Sequence, residues 1–183
     1  MVLLKTIHGS RLSGLARPDS DWDWYTVVEG GRTRQKITGD QDNVTVTLDD
    51  FLHFVADGEP QALAALWSPL AEIDVRYAPL FASLHPDMMM ATHKFQGAIT
   101  AFSGGAHHKV KSYAELEVKM RQHMCRLSLF LDHLWRWGRF CPVLDADAMK
   151  WIMETARLDE ADFVAELARV SPVPLHFLWD GAG

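Results

Sequence analysis

Hydrophobic and polar residues follow two different periods along this chain. The first 50 residues read as a small sheet. Val2 to Ile7 is a short apolar run with strand character. Leu12 to Ala16 fits a brief helix stopped by Pro18. Asp21 to Val28 alternates acids with aromatics and ends in Val27-Val28, the period-two pattern of a strand. Glu29-Gly30-Gly31 is a turn, and Asn43 to Leu48 is a β-branched alternating strand. From Asp49 the period becomes helical, with Phe51, Phe54 and Val55 on one side and Asp49 or Thr47 as the cap. Gly58-Glu59-Pro60 breaks that helix, and Gln61 to Trp67 reads as another. Tyr113 to Trp137 is the longest uninterrupted helical pattern, with Leu116, Met120, Leu127, Leu131 and Leu134 as a buried stripe. Gly138 ends it. Ala146 to Leu158 and Glu160 to Val170 are two further amphipathic helices, capped by Asp145 and Asp159; the Pro172-Val173-Pro174 tail reads as extended. A sheet-rich front and a helical back predict an α+β protein. The division falls between residues 1–70 and residues 71–183.

Composition narrows the function classes. The chain of 183 residues has 48% hydrophobic residues, enough for a core, and a formal charge of -6. That charge argues against broad nonspecific binding to nucleic acid or acidic membranes, while allowing a local basic groove. Two cysteines, Cys125 and Cys141, do not suggest a disulfide scaffold. Met1 to Ile7 is too short and lacks the cationic start of a signal peptide. No stretch approaches the roughly 20 apolar residues of a membrane span. The expected compartment is the cytoplasm, and no membrane partner is expected.

Two short motifs carry chemistry. On a strand, Asp21 and Asp23 point to the same face, separated by roughly 6.5–7 Å. Their carboxylates can converge on metal ions about 3.5–4 Å apart. Mg²⁺, or Mn²⁺ in its place, suits such hard oxygen ligands. Trp22 and Trp24 then face the other way, into packing. Gly9 lets the backbone approach a phosphate, and Ser10 offers a hydroxyl and an N–H at the start of a short helix. Arg11 and Arg17 add charge neutralisation. Farther along, Lys119, His123 and Arg126 fall within a helical arc of roughly 60°. Phe130, His133 and Trp137 continue the stripe. Such a stripe can wall a nucleotide site, with the cations on phosphates and an aromatic on the base. Gly104-Gly105-Ala106-His107-His108-Lys109 reads as a basic loop, and His107-His108 has no convincing further ligands for zinc. Met88-Met89-Met90 reads as core or packing surface. Trp135 and Trp137 cannot share one side of a helix, which places one at a partner surface.

Gly9-Ser10-Arg11, Gly14-Leu15-Ala16 and Pro18-Asp19-Ser20-Asp21-x-Asp23 together resemble the signature of the DNA polymerase β-type nucleotidyltransferase superfamily. The likeness is closest to bacterial and phage nucleotidyltransferases associated with RNA repair. It continues more loosely through Leu48 to Phe54, Gly58-x-Pro60, Leu63 to Pro69, and the helix bearing Lys119, His123 and Arg126.

The resemblance implies a palm-like mixed sheet followed by a helical subdomain that completes the nucleotide site. It implies transfer of a nucleoside monophosphate from an NTP to an acceptor hydroxyl, by in-line attack at the α-phosphate. The acceptor would be an RNA end, a protein side chain or a small hydroxyl compound, and an oligomer is compatible with it. Nucleotide contacts would come from Gly9, Ser10, Arg11, Lys119, His123 and Arg126, and metal ligands from Asp21 and Asp23. The third carboxylate expected from a neighbouring strand is Asp42, with Asp40 as its rival. Were that acid required inside the strand, only Asn43, Thr45 and Thr47 would be on offer. Ala65 stands where the family commonly has an acid. Two alternatives remain: a non-catalytic nucleotide-binding module of the same fold, and a HEPN-like ribonuclease using Arg126 and His133.

Overall fold

A computed structural model describes residues 1–38, 41–103 and 113–173; for 37, 38, 41, 42, 103 and 113–116 the description is of the backbone. The chain is α+β, with a small mixed sheet and several helices. It divides into two compact units. One comprises Met1–Ala91 and Cys141–Leu144, the other the described residues of Thr92–Phe140 and Asp145–Gly183.

The first unit is built on five strands. β1 (Val2–His8) pairs antiparallel with β2 (Trp22–Val28), with a bulge between Val2 and Leu4. Between them lies α1 (Gly9–Ser13), ended by Gly14. That helix begins earlier than the expected Leu12 to Ala16 span. β3 (Arg34–Thr38) runs antiparallel to β4 (Gln41–Thr47), which lies parallel to β2. α2 (Leu48–Ala56) follows without a loop, because the Thr47 side chain accepts a hydrogen bond from the Asp50 N–H at 3.2 Å. α3 (Pro60–Leu66) starts on a proline, whose missing N–H costs nothing in the first turn. A two-residue strand, β5 (Glu72–Ile73), completes the sheet order β3-β4-β2-β1-β5. α4 (Ala78–Ala82) follows, and α5 (Met88–Ser103) spans the division between the units.

Helices α2 and α3 pack against the sheet. Leu4, Thr6, His8, Tyr25, Val27 and Val46 are buried. Phe51 joins this core, 6.1 Å from the Tyr25 ring and 5.6 Å, edge-on, from Phe81. Burial pushes the Tyr25 hydroxyl pKa well above its ordinary range, and nearby Glu59 adds to the effect. Gly58 has φ of 75°, and a Cβ there would collide with Ala91 at the start of α5. The other sheet face is more open, with Trp22 42% exposed and Lys5 exposed. Trp22 therefore lies on an open surface and not in the interior expected for it.

The second unit centres on α6 (Tyr113–Trp137), which packs against α7 (Ala146–Thr155) and α8 (Glu160–Val170). Met120, Leu127, Leu131 and Leu134 are buried as the stripe requires; the Leu116 side chain lies outside the description. Asp145 and Asp159 cap α7 and α8 by accepting from Ala148 N–H at 2.8 Å and Asp162 N–H at 3.0 Å. Met89 and Met90 are exposed rather than core. Trp135 and Trp137 are both exposed, Trp135 donating its indole N–H to Thr92 Oγ1 at 3.1 Å. The segment 104–109 and Pro174 lie outside the described residues. Among the described residues, no helix is long and apolar enough to cross a membrane.

Candidate functional site

The β1–β2 register places His8 opposite Asp23, and the β2–β4 register places Asp23 opposite Asp42. One level of the sheet therefore carries the end of β1 and the starts of two parallel strands. Gly9 and Ser10 follow His8 immediately, so the Gly-Ser turn lies over the same edge. The contact is tight: Gly9 has φ of 70°, and a Cβ built on it would collide with the Asp23 carboxylate at Oδ2. Gly9 and Asp23 thus form one constellation across the pair, although 14 positions separate them in sequence.

Asp21 lies one residue before β2 rather than inside it, and is exposed. Its carboxylate has no partner among the described residues. Arg11 ties the Asp21 backbone to the turn, donating from Nε to Asp21 O at 3.0 Å and from Nη2 to Ser20 O at 2.5 Å. The guanidinium carbon also lies 4.0 Å from the Trp22 ring centroid. Arg11 therefore fixes where Asp21 enters the strand. The Ser10 hydroxyl makes no hydrogen bond with the described residues, while Ser10 O accepts from Leu15 N–H at 2.9 Å and from Ser13 Oγ at 3.2 Å. Arg17 is exposed, and its N–H reaches Ser20 Oγ at 2.7 Å.

Asp42 is in β4, not before it, because the strand starts at Gln41. The choice among Asn43, Thr45 and Thr47 for an in-strand position is thereby widened to include an acid. Asp40 lies outside the described residues. Among the described residues, no group of three His, Cys, Asp or Glu side chains could hold a metal ion. Asp21 and Asp23 still supply hard carboxylate oxygens, the donor type Mg²⁺ favours. Ala65 is fully buried in α3, within the apolar core.

Lys119, His123 and Arg126 lie on α6 in the second unit. Lys119 is exposed, and His123 and Arg126 are half-buried. The His123 ring stacks on Phe102, with centroids 5.0 Å apart and 24° between planes. Phe130 is buried and stacked on Phe140 at 4.4 Å, so the stripe passes through the core at that point. His133 meets the edge of Trp137 at 4.5 Å, and burial lowers its pKa.

His8 belongs to neither sequence motif, yet it lies at the same level of the sheet. It is 4% exposed and meets Tyr25 edge-on, with ring centroids 6.0 Å apart and planes at 88°. The period-two series Leu4, Thr6, His8 already places it on the core side, directly before Gly-Ser. No family model matches the chain, and no curated protein matches it.

Proposed function

We propose that the chain is a metal-dependent nucleotidyltransferase with a palm-like sheet, moving a nucleoside monophosphate from an NTP to an acceptor hydroxyl. The observation that carries this reading is the shared level of Gly9, Asp23 and Asp42, with Gly9 pressed against the Asp23 carboxylate. A glycine turn beside acids on two adjacent parallel strands suits phosphate binding and metal binding in one place.

Asp21, Asp23 and Asp42 would hold Mg²⁺ or Mn²⁺, which would supply charge neutralisation at the transferring phosphate. The protein's part is positioning. Gly9 and Ser10 bring backbone N–H groups and a hydroxyl to the β- and γ-phosphates. Arg11, holding the Ser20 and Asp21 carbonyls, keeps the Asp-x-Asp turn against α1. The acceptor oxygen forms its bond to the α-phosphorus as the bond to the pyrophosphate oxygen breaks. The acceptor proton leaves toward Asp42, and pyrophosphate departs.

The test uses an α-labelled NTP with Mg²⁺ and three acceptors in separate reactions: a short RNA, the protein's own side chains, and a small polyol. Label transfer is expected to fall on the order of 100-fold or more in Asp21→Ala, Asp23→Ala and Asp42→Ala. Asp40→Ala is expected to retain it. Transfer that survives both Asp21→Ala and Asp23→Ala contradicts the reading.

A further inference from the structure

The open face of the sheet in the first unit has a composition unlike the rest of this acidic chain. Cross-strand partners lie on one face of a ladder. The register therefore sets Lys36, Asn43, Trp24 and Ile7 in one row across four strands. The next row runs Arg34, Thr45, Thr26, Lys5 and Glu72 across all five. Arg34, Lys36 and Lys5 are exposed, and the intervening residues Trp24, Thr26, Asn43 and Thr45 are half-buried. Trp22 and Trp24 stack along β2, with centroids 6.4 Å apart and planes at 13°. Lys5 Nζ lies 4.5 Å from the Trp24 centroid and Arg11 flanks Trp22 at 4.0 Å. Trp22 keeps 42% of its surface exposed despite that neighbour.

We propose that this face binds a single-stranded nucleic acid. Charge complementarity selects the occupant. Lys5, Arg11, Arg34 and Lys36 gather on one face of a chain whose formal charge is -6. Lys5 and Arg11 flank two parallel indoles, and Arg34 and Lys36 lie two strands away on the same face. Cations that track a phosphate backbone beside aromatics that stack on bases are what single strands require. A duplex offers no unstacked base to the indoles. Asp23 and Asp42 lie at one end of the same sheet, in register with His8 and so on its other face, and a bound strand whose terminus passes over that end is also the acceptor class for the transfer proposed above. That last step rests on the transferase reading; the binding does not.

The experiment measures binding of fluorescent 12-nucleotide single-stranded RNA and DNA, a duplex of the same sequence, and poly-glutamate to the full chain at several salt concentrations. Single strands are expected to bind more tightly than the duplex, with log affinity falling against log salt at a slope of up to about -3 for four phosphate contacts. The tighter of the RNA and DNA arms names the natural strand, and either order supports the proposal. Trp22→Ala is expected to weaken binding about fivefold or more. Arg34→Glu with Lys36→Glu, both exposed on an edge strand, is expected to weaken it at least tenfold and to halve the salt slope. Asp23→Asn keeps the binding while losing label transfer. A wild-type chain that labels a small polyol but binds no single strand overturns the face assignment and leaves the transferase reading intact. A chain that binds single strands but labels no acceptor keeps the face and removes the transfer. Equal affinity in the wild type, Trp22→Ala and the double variant overturns the proposal, as does a preference for the duplex or for poly-glutamate.

Discussion

Gly9 occupies a position where a side chain would displace Asp23. Its left-handed φ of 70° and the collision of any Cβ with Asp23 Oδ2 act together. Gly9→Ala is therefore expected to cost about 1–2 kcal/mol in stability from the backbone alone. Label transfer should fall by more than that loss explains, because the carboxylate must move. A denaturant titration checks the first part as a lower midpoint with an unchanged slope, and transfer measured well below that midpoint checks the second. Asp21-x-Asp23 and Gly9-Ser10 were legible in the sequence as motifs. Their contact was not, since it depends on the β1–β2 register, which includes a bulge between Val2 and Leu4. Asp42 was legible as an acid near a strand but not inside one. Gln-Asp-Asn has weak strand propensity, and the parallel pairing with Trp22, Asp23 and Trp24 extends the strand through it.

Elements with a local signal were readable, and those made by their neighbours were not. α6 has the expected limits because an apolar stripe runs its length and Gly138 follows it. Thr47, Asp145 and Asp159 cap as expected, each reaching an N–H three residues on. β3 carries no such signal: Arg34-Gln35-Lys36 has no apolar alternation, as suits an exposed edge strand. β5, with two residues, has too little sequence to announce itself. The α7–α8 pair carries a testable electrostatic device. Glu166 on α8 accepts from Arg169 at 2.6 Å and 2.9 Å and from the Trp151 indole of α7 at 2.8 Å. The Arg169 bonds first, and then that of Trp151, hold its pKa down to about 2. A carboxylate depressed on folding stabilises the fold above its unfolded pKa, and that contribution is lost as pH falls through the folded value. Stability is thus expected to drop from the ordinary glutamate range toward pH 2. Glu166→Gln should flatten that part of the profile, measured by thermal melts across pH.

The chain as a whole divides into a sheet unit and a helical unit, and their chemistry divides with them. The acids and the Gly-Ser turn belong to the sheet unit, and the Lys119, His123 and Arg126 stripe to the helical one. Both cysteines are free thiols, Cys141 exposed and Cys125 buried, with desolvation pushing the Cys125 pKa up to about 12. A thiol reagent at neutral pH is expected to titrate one group quickly in the native chain and two after denaturation; two fast thiols in the native chain would contradict this packing. Gly9, Asp23 and Asp42 are proposed to form one phosphate and metal site. The most direct measurement is a crystal structure of the chain with Mg²⁺ and a nonhydrolysable NTP. Mg²⁺ is expected at about 2.0–2.1 Å from carboxylate oxygens of Asp23 and Asp42, with the nucleotide's terminal phosphates against Gly9 and Ser10. A nucleotide bound elsewhere, or metal that leaves Asp23 and Asp42 without a ligand bond, would contradict it.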